Sequence, residues 1–465
     1  MKARITNRLE LESIPPDLYQ SLIDTLTLQN PKWVDNVRMK RWNRGVPRYL
    51  KFYHRGNQGR LFIPRGYIRQ LFNQCRKIKE PFEIDDQRRS LPEVSYKFNG
   101  NLRPFQKRAV KDMAAKEFGI LSAATGSGKT VMALHLIAHR RQPALIIVHI
   151  KDLAFQWIDR IESFLGISRD EIGLIGAGKH VIGKRVTVAL VQSLYKCADE
   201  VSPHIGHLIV DECHRIPSRT FTEAVTEFDA KYMLGLTATP WRRDKLSKLI
   251  FWHLGDVHYK VDADKLVQSG DVLSAEVIFR LSEFEPFHDP VNEYSQMLTE
   301  LIADDIRNRM ITDDVAEETR SREGVCLVLS DRKHHCENLR ALLRYRHRIE
   351  ADLLTGDLSD DERRAVLERL NDGGVRVLVA TGQLIGEGFD CPHLTSLFLT
   401  TPIRFSGRVL QYLGRVLRPA PGKKSPRVFD YVDVQVGPLV SAAKARQRVY
   451  GGKGLEKLLG NASNA

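Results

Sequence analysis

Between residues 123 and 130 the chain reads Ala-Ala-Thr-Gly-Ser-Gly-Lys-Thr. Thr125, Gly126, Ser127, Gly128, Lys129 and Thr130 match the glycine-rich loop that cradles phosphates, with Ala123 where the pattern's first glycine stands. Glycines let backbone N–H groups approach the phosphate oxygens, and a following helix adds positive potential at its N-terminus. Lys129 would hold the β- and γ-phosphates and Thr130 a magnesium ion. A second cluster is His207-Leu208-Ile209-Val210-Asp211-Glu212-Cys213-His214, a short apolar run delivering two acids. Asp211 can hold the same Mg2+, and Glu212 can orient and deprotonate an attacking water. Together these groups suit cleavage of a nucleoside triphosphate: the cations offset charge and a base positions the nucleophile. Lys129, Asp211 and Glu212 are therefore the expected catalytic residues of these two clusters, and Thr130 and Asp211 the metal ligands.

Such a site needs a frame. Apolar strand-sized runs occur at 119–122, 144–148, 186–191, 207–210 and 232–236, with helical stretches between them. A second series follows at 325–329, 351–354, 375–380, 396–400 and 427–431. Alternating strands and helices imply parallel sheets covered on both faces. The expected fold class is thus α/β, with two tandem parallel-sheet domains at 99–265 and 319–450. A helical connecting segment is expected at 266–318 and a flexible tail at 451–465. Residues 1–98 read as a small basic α+β domain. It would hold a helix from Pro16, strands at 49–53 and 59–63 joined by a turn, a helix at 67–75, and a linker over 78–94.

The charge is uneven. The net charge is +14, and residues 1–98 hold 20 Lys/Arg against 10 Asp/Glu. Between Asn36 and Lys79 there are 13 basic residues and no acid. Such a surface neutralises phosphates and releases counterions, which points to a polyanionic partner. Arg38, Lys40, Arg41, Arg44, Arg48, Lys51 and Arg60 are the candidate phosphate contacts. Trp42 is open to two readings, a base-stacking residue or part of an aromatic core. Six cysteines without a C-x-x-C pair argue against a zinc ribbon and a disulfide framework, so a reducing cytoplasm is the natural setting. No apolar run is long enough to span a bilayer, and no membrane partner is expected. His334-His335 beside Cys336 is read as part of a helix rather than a metal site.

The Asp211-Glu212-Cys213-His214 sequence resembles the DEAD/DEAH box of superfamily 2 helicases in a DECH form, and further segments resemble that family's motifs in order. Leu102-Arg103-Pro104-Phe105-Gln106 is similar to the adenine-reading segment, and His149–Leu153 with Gln156-Trp157 to motif Ia. Gly173–Gly178 and Val188–Leu194 resemble strand-contact motifs, Thr237-Ala238-Thr239-Pro240 motif III, and Val328–Asp331 motif IV. Ala380-Thr381-Gly382 with Gly386–Asp390 resembles motif V, and Gln411-x-x-Gly414-Arg415-x-x-Arg418 motif VI. The likeness covers about residues 100–435, and Thr239–Lys245 resembles the XPB/Rad25-like and UvsW-like branch. Where XPB-type proteins have an R-E-D triplet, this chain has Arg242-Arg243-Asp244, with a base in place of the middle acid.

The resemblance implies two RecA-like domains with ATP between them. Arg103 and Gln106 would read adenine, and Gly388 and Asp390 would lie near the nucleotide. Arg415 and Arg418 would act as arginine fingers, making hydrolysis depend on closure. His214, Thr237, Thr239 and Gln411 would couple hydrolysis to the nucleic acid, which Gln192, Ser193 and Thr381 would touch. The implied activity is that of an ATP-dependent DNA helicase or translocase, using Mg2+, for repair, recombination or branched-DNA remodelling. Its partner would be single-stranded, duplex or branched DNA. An RNA helicase or transcript-release motor, or the motor subunit of a restriction or defence complex, is the alternative.

Overall fold

The computed structural model describes residues 1–465 except 125, 215–217, 239–245, 262–272, 386–390, 392, 404–408, 410–411, 415, 418–422, 424, 451–454, 456–457 and 459–465. The chain forms two compact units, the first built from 1–123 and 128–261, the second from 124–127 and 262–465.

The first unit contains an eight-stranded sheet. Its order is Lys179–Val181, Gly173–Gly176, Val186–Leu190, Ala144–Val148, His207–Val210, Tyr232–Thr237, Phe118–Ser122, Val257–Lys260. Every pairing is parallel except that of the first edge strand, Lys179–Val181. The central strands are buried on both faces, which is why they read as unbroken Val/Ile/Leu runs. The glycine-containing segment 173–178 is a strand turning through Ala177 (φ 54°) and Gly178 (φ 80°) into the antiparallel edge. Two consecutive left-handed residues suit such a two-residue hairpin.

Residues 1–98 do not stand apart. A five-stranded sheet runs His54–Arg55, Leu61–Pro64, Arg8–Glu12, Lys2–Ile5, Glu83–Asp86. Its buried face, with helices Pro16–Thr25 and Ile68–Lys77, forms one core with Leu246, Leu249 and Trp252 of helix Ser247–Leu254. The Trp252 ring lies 5.6 Å from Phe52 and 6.4 Å from Tyr67. Gly66 is pressed so close to this helix that a Cβ would sit 2.5 Å from Gly255 N. The strand at Tyr49–Lys51 pairs with Thr27–Gln29, not with the strand near 61.

The expected linker over 78–94 is likewise a structural strap. Glu83–Asp86 is a sheet strand parallel to Lys2–Ile5. Arg88 then pairs with Asp86 and Glu117, and Arg89 with Asp229. Leu91 N donates to Gln142 Oε1 at 2.7 Å, and Tyr96 Oη donates to the carbonyls of Gln142 and Arg185. Prolines and charges suggest a solvated tether, but the charges are spent on ion pairs along the sheet domain.

The second unit holds a six-stranded, wholly parallel sheet ordered Glu276–Ser282, Arg427–Asp433, Leu394–Leu399, Val325–Ser330, Val377–Thr381, Asp352–Leu354. The connecting segment expected at 266–318 thus contributes an edge strand, paired with Arg427–Asp433 over seven residues. The helix expected there is two, Tyr294–Ala303 and Asp305–Ser321, divided where the Asp304 side chain accepts from Arg307 N. Arg307 is buried and donates to Asp433 and to the Thr400 carbonyl. His335 is also buried, with its ring nitrogens against Ser330 and Asn308. Of the tail at 451–465, only Leu455 and Leu458 are among the described residues. Among the described residues no helix is long and apolar enough to cross a membrane.

Trp252→Ala removes the ring on which the N-terminal sheet and the nucleotide-loop domain both pack. It is expected to cost about 3–5 kcal/mol. Near-UV circular dichroism should show both parts of the first unit losing structure in one transition. Two separated transitions would show that residues 1–98 are an independent domain.

Candidate active site

The catalytic candidates gather at the carboxyl ends of three adjoining strands. Phe118–Ser122 leads into the glycine loop, His207–Val210 into Asp211 and Glu212, and Tyr232–Thr237 lies between them. The loops leaving the outer two strands are tied to the middle one: Ala123 N donates to Thr237 O at 2.9 Å, and Cys213 N to Leu236 O at 3.0 Å. Carboxyl strand ends are where open α/β sheets collect ligand-binding groups.

Gly126 and Gly128 both have left-handed backbones, with φ of 85° and 83°, so both need glycine. Gly128 has a second reason, because a Cβ there would lie 2.4 Å from Gln106 Nε2. Gln106 is itself held by its helix start, its Oε1 accepting from Arg103 N at 2.9 Å. The adenine-reading candidates and the phosphate loop are thereby one packed structure. Ala123, by contrast, has no left-handed backbone and its side chain is buried, so the sequence's departure from the generic pattern is accommodated.

Lys129 opens helix Lys129–Arg140 and is itself buried. Its Nζ donates to Ala123 O at 3.1 Å and lies 3.4 Å from Glu212 Oε1. Asp211 is buried, and its Oδ2 accepts from Trp157 Nε1 at 2.8 Å. Its Oδ1 accepts from Glu212 N at 2.9 Å. Glu212 has φ of 44°, a conformation costly for a side-chain-bearing residue, at the point where the acids must be aimed. Glu212 Oε2 lies 3.3 Å from His214 Nδ1, which is 2.9 Å from Thr237 Oγ1. Two of the four predicted coupling residues, His214 and Thr237, thus connect the Glu212 carboxylate to the middle strand.

Two carboxylates share this buried space with one ammonium. Burial and the neighbouring Glu212 push the Asp211 carboxyl above the usual carboxylate range, while Lys129 and the Trp157 N–H oppose the shift. A divalent cation held by Asp211, with half-exposed Thr130 on the adjacent helix turn, would relieve that excess of negative charge. The donor set is the hard oxygen set magnesium prefers. The residues present therefore fit the expected ion, which when bound would neutralise phosphate charge.

Other predicted residues divide. Gln192 follows strand Val186–Leu190 and donates to His149 O at 2.9 Å, with half-buried Ser193 beside it. Both lie at the carboxyl end of the first sheet. Thr381 ends strand Val377–Thr381, and Tyr412 Oη donates to Gly382 O at 2.7 Å, joining the second unit's two motif segments. Thr125, Thr239, Gly388, Asp390, Gln411, Arg415 and Arg418 lie outside the described residues, as do Arg242–Asp244. Arg38, Lys40, Arg41, Arg44, Arg48 and Lys51 are exposed on one N-terminal lobe. Arg60 is not part of that group: it is half-buried and bound to Glu10 and Glu12, each at 3.1 Å. Trp157 belongs to the segment resembling motif Ia, where its residue type signals no role; only the fold brings its N–H to Asp211.

Comparison with known proteins adds to this geometry. Residues 99–242 match the family model described as "Type III restriction enzyme, res subunit", and 307–420 match "Helicase conserved C-terminal domain". The "DNA 3'-5' translocase XPB2" of Sulfurisphaera tokodaii is 28% identical, over 71% of this chain and 81% of that protein. Protein L396 of Acanthamoeba polyphaga mimivirus, whose name describes an ATP-dependent RNA helicase, is 26% identical over 93% and 83%. Among solved structures, a fragment of a type I restriction enzyme HsdR subunit from Vibrio vulnificus shares the fold, with a TM-score of 0.57 at 19% identity. That match covers 76% of this chain and 68% of the other.

Trp157→Phe keeps the ring's bulk and deletes one hydrogen bond to a charged group, worth about 1.5–3 kcal/mol. Titrating magnesium against ATP hydrolysis is expected to show a half-maximal concentration raised about tenfold or more, with kcat at saturating metal reduced less. An unchanged magnesium requirement would assign Trp157 to packing alone.

Proposed function

We propose that this chain, a superfamily 2 helicase of the XPB/Rad25-like or UvsW-like type, is an ATP-driven DNA helicase or translocase acting in repair, recombination or branched-DNA remodelling. The observation that carries the chemical half of this reading is the Lys129–Glu212–Asp211 constellation at adjoining strand ends. Lys129 offsets charge on the terminal phosphates, and its helix N-terminus adds to that field. Glu212, held between Lys129 and His214, accepts a proton from the attacking water. Asp211, aimed by Trp157, and Thr130 hold magnesium. Gly126, Ser127 and Gly128 surround the phosphates, while Arg103 and Gln106 select adenine. Arg415 and Arg418 of the second unit are assigned the transition-state charge that the first unit leaves uncompensated.

His214 lies between the Glu212 carboxylate and Thr237 at the end of the middle strand, which supports a coupling role for both residues. Gln192, Ser193 and Thr381 are assigned to the nucleic-acid track. DNA is favoured by the relative named as a DNA translocase. A second reading, an RNA-directed motor, draws on the relative matched over 93% of this chain, whose name describes an RNA helicase.

Lys129→Ala is expected to lower ATP turnover by at least a hundredfold while nucleic-acid affinity stays within about twofold, about 0.4 kcal/mol. Measured with the wild-type chain across single-stranded DNA, duplex, forks and RNA, stimulation should be greatest with DNA. Undiminished turnover in Lys129→Ala would remove the phosphate-loop assignment, and stimulation by RNA alone would select the second reading.

A further inference from the structure

Residues 30–51 form a lobe that the hydrolytic site does not use. Its neck is strand Thr27–Gln29 paired with Tyr49–Lys51. Asn30 closes the neck from within: its Nδ2 donates to Pro47 O at 2.8 Å, its backbone N donates to Arg48 O, and its Oδ1 accepts from Lys32 N. The base is anchored, since Leu28, Leu50 and Phe52 pack against the core that holds Trp252.

Beyond the neck the lobe buries little. Helix Pro31–Arg38 has no buried residue. Val37, Met39, Trp42 and Tyr49 are all exposed, and Trp42 reaches 93%. That value rules out the reading of Trp42 as core. Nor is its segment loose. Asn36 Nδ2 donates to Asn43 Oδ1 at 3.0 Å and to Trp42 O at 3.4 Å, Arg41 N donates to Asn36 O, and Asn43 Nδ2 donates to Trp33 O. A hydrogen-bonded turn therefore presents a bare indole to water, forfeiting the ~1.5–3 kcal/mol that burying a large apolar side chain supplies.

The surroundings of that indole are cationic. The lobe carries Lys32, Arg38, Lys40, Arg41, Arg44, Arg48 and Lys51 against one acid, Asp35. Arg48 is stacked over Trp33 and Tyr49, at 5.2 and 5.4 Å. Among the described residues Arg38, Lys40, Arg41 and Arg44 have no acidic partner within ion-pair distance. A fixed aromatic face with cations before and after it in the chain matches one ligand chemistry well. A nucleic-acid strand offers a flat base between two phosphates, and stacking on aromatics is sequence-tolerant because every base has a π-face. In a continuous duplex those faces are hidden by their neighbours; at a junction with an unpaired arm they are not.

We propose that this lobe recognises unpaired DNA at a branch point, with Trp42 stacked on an exposed base and Arg38, Lys40, Arg41 and Arg44 on the flanking phosphates. The proposal rests on the DNA reading above but not on the hydrolytic chemistry. It gives the motor a means of distinguishing forks from plain duplex. Removing residues 1–90 would be a poor test, because it strips the cover from Trp252; side-chain substitutions in the full chain avoid this.

The test compares binding of a fluorescently labelled fork with unpaired arms and a blunt duplex of equal length, without nucleotide. Trp42→Ala is expected to weaken fork binding about tenfold, about 1.4 kcal/mol, and to leave the blunt duplex within twofold. Trp42→Phe should recover most of the loss, since a phenyl ring also stacks. The combined Arg38→Gln, Lys40→Gln, Arg41→Gln, Arg44→Gln variant should weaken both ligands and reduce the slope of log affinity against log salt, by about 0.7–0.9 for each phosphate no longer neutralised. Fork affinity unaltered by Trp42→Ala, or fork and blunt duplex weakened equally, would overturn the proposal. So would a lobe whose tryptophan fluorescence responds to anionic phospholipid vesicles and not to the fork. Failure of the DNA reading itself looks different: the wild-type chain would then bind neither DNA.

Discussion

Lys129, Asp211 and Glu212 are two negative charges and one positive charge held out of water within a few ångströms of each other. Isolated buried charges are strongly disfavoured, so this cluster persists only because a large apolar frame dictates its position. The frame is the parallel sheet, whose central strands are buried on both faces. The middle strand, Tyr232–Thr237, binds the loop on either side of it through single backbone hydrogen bonds, so the ammonium and the carboxylates keep their relative positions. Trp157 adds a donor from the neighbouring helix and fixes which way Asp211 faces. The arrangement carries surplus negative charge, which a divalent cation beside Asp211 would offset.

A second layer of organisation lies around this frame. The N-terminal sheet packs on helix Ser247–Leu254, which follows the middle strand and the motif beyond it. The strap from Glu83 to Asn99 then runs back along the sheet domain through Arg88, Arg89, Leu91 and Tyr96. The lobe's exposed cations and its indole belong to the same compact unit as Lys129.

The parts legible in the sequence are those with unbroken or local signals. Central strands announce themselves as apolar runs, and the glycine loop and paired acids by residue type and order. Strands with one wet face are harder to see. Lys2–Ile5 and Arg8–Glu12 alternate charged and aliphatic residues, a period-2 pattern that marks a half-buried strand. Glu276–Ser282 is an edge strand whose mixed residues resemble a connector. Ion pairs between distant residues, such as Arg88 with Glu117, leave no local trace, so a strap reads as a linker. The hydrogen bond from Trp157 to Asp211 is hidden for the same reason: it depends on a helix and a strand end meeting across 54 residues of chain. Trp42 shows the converse. Its residue type allows either core or surface, and burial, which only the fold determines, decides between them.

The central claim is that the buried acids and lysine of the first unit form a site for a nucleotide only together with a divalent cation. Thermal unfolding of the full chain, followed with ATP, with Mg2+, with both, and with ATP in EDTA, tests it most directly. A ligand held at about a hundred times its dissociation constant stabilises by about 2.7 kcal/mol, so ATP with Mg2+ should raise the midpoint by several degrees. Either component alone should do little. A rise of the same size with ATP in EDTA, or none with both present, would contradict the account.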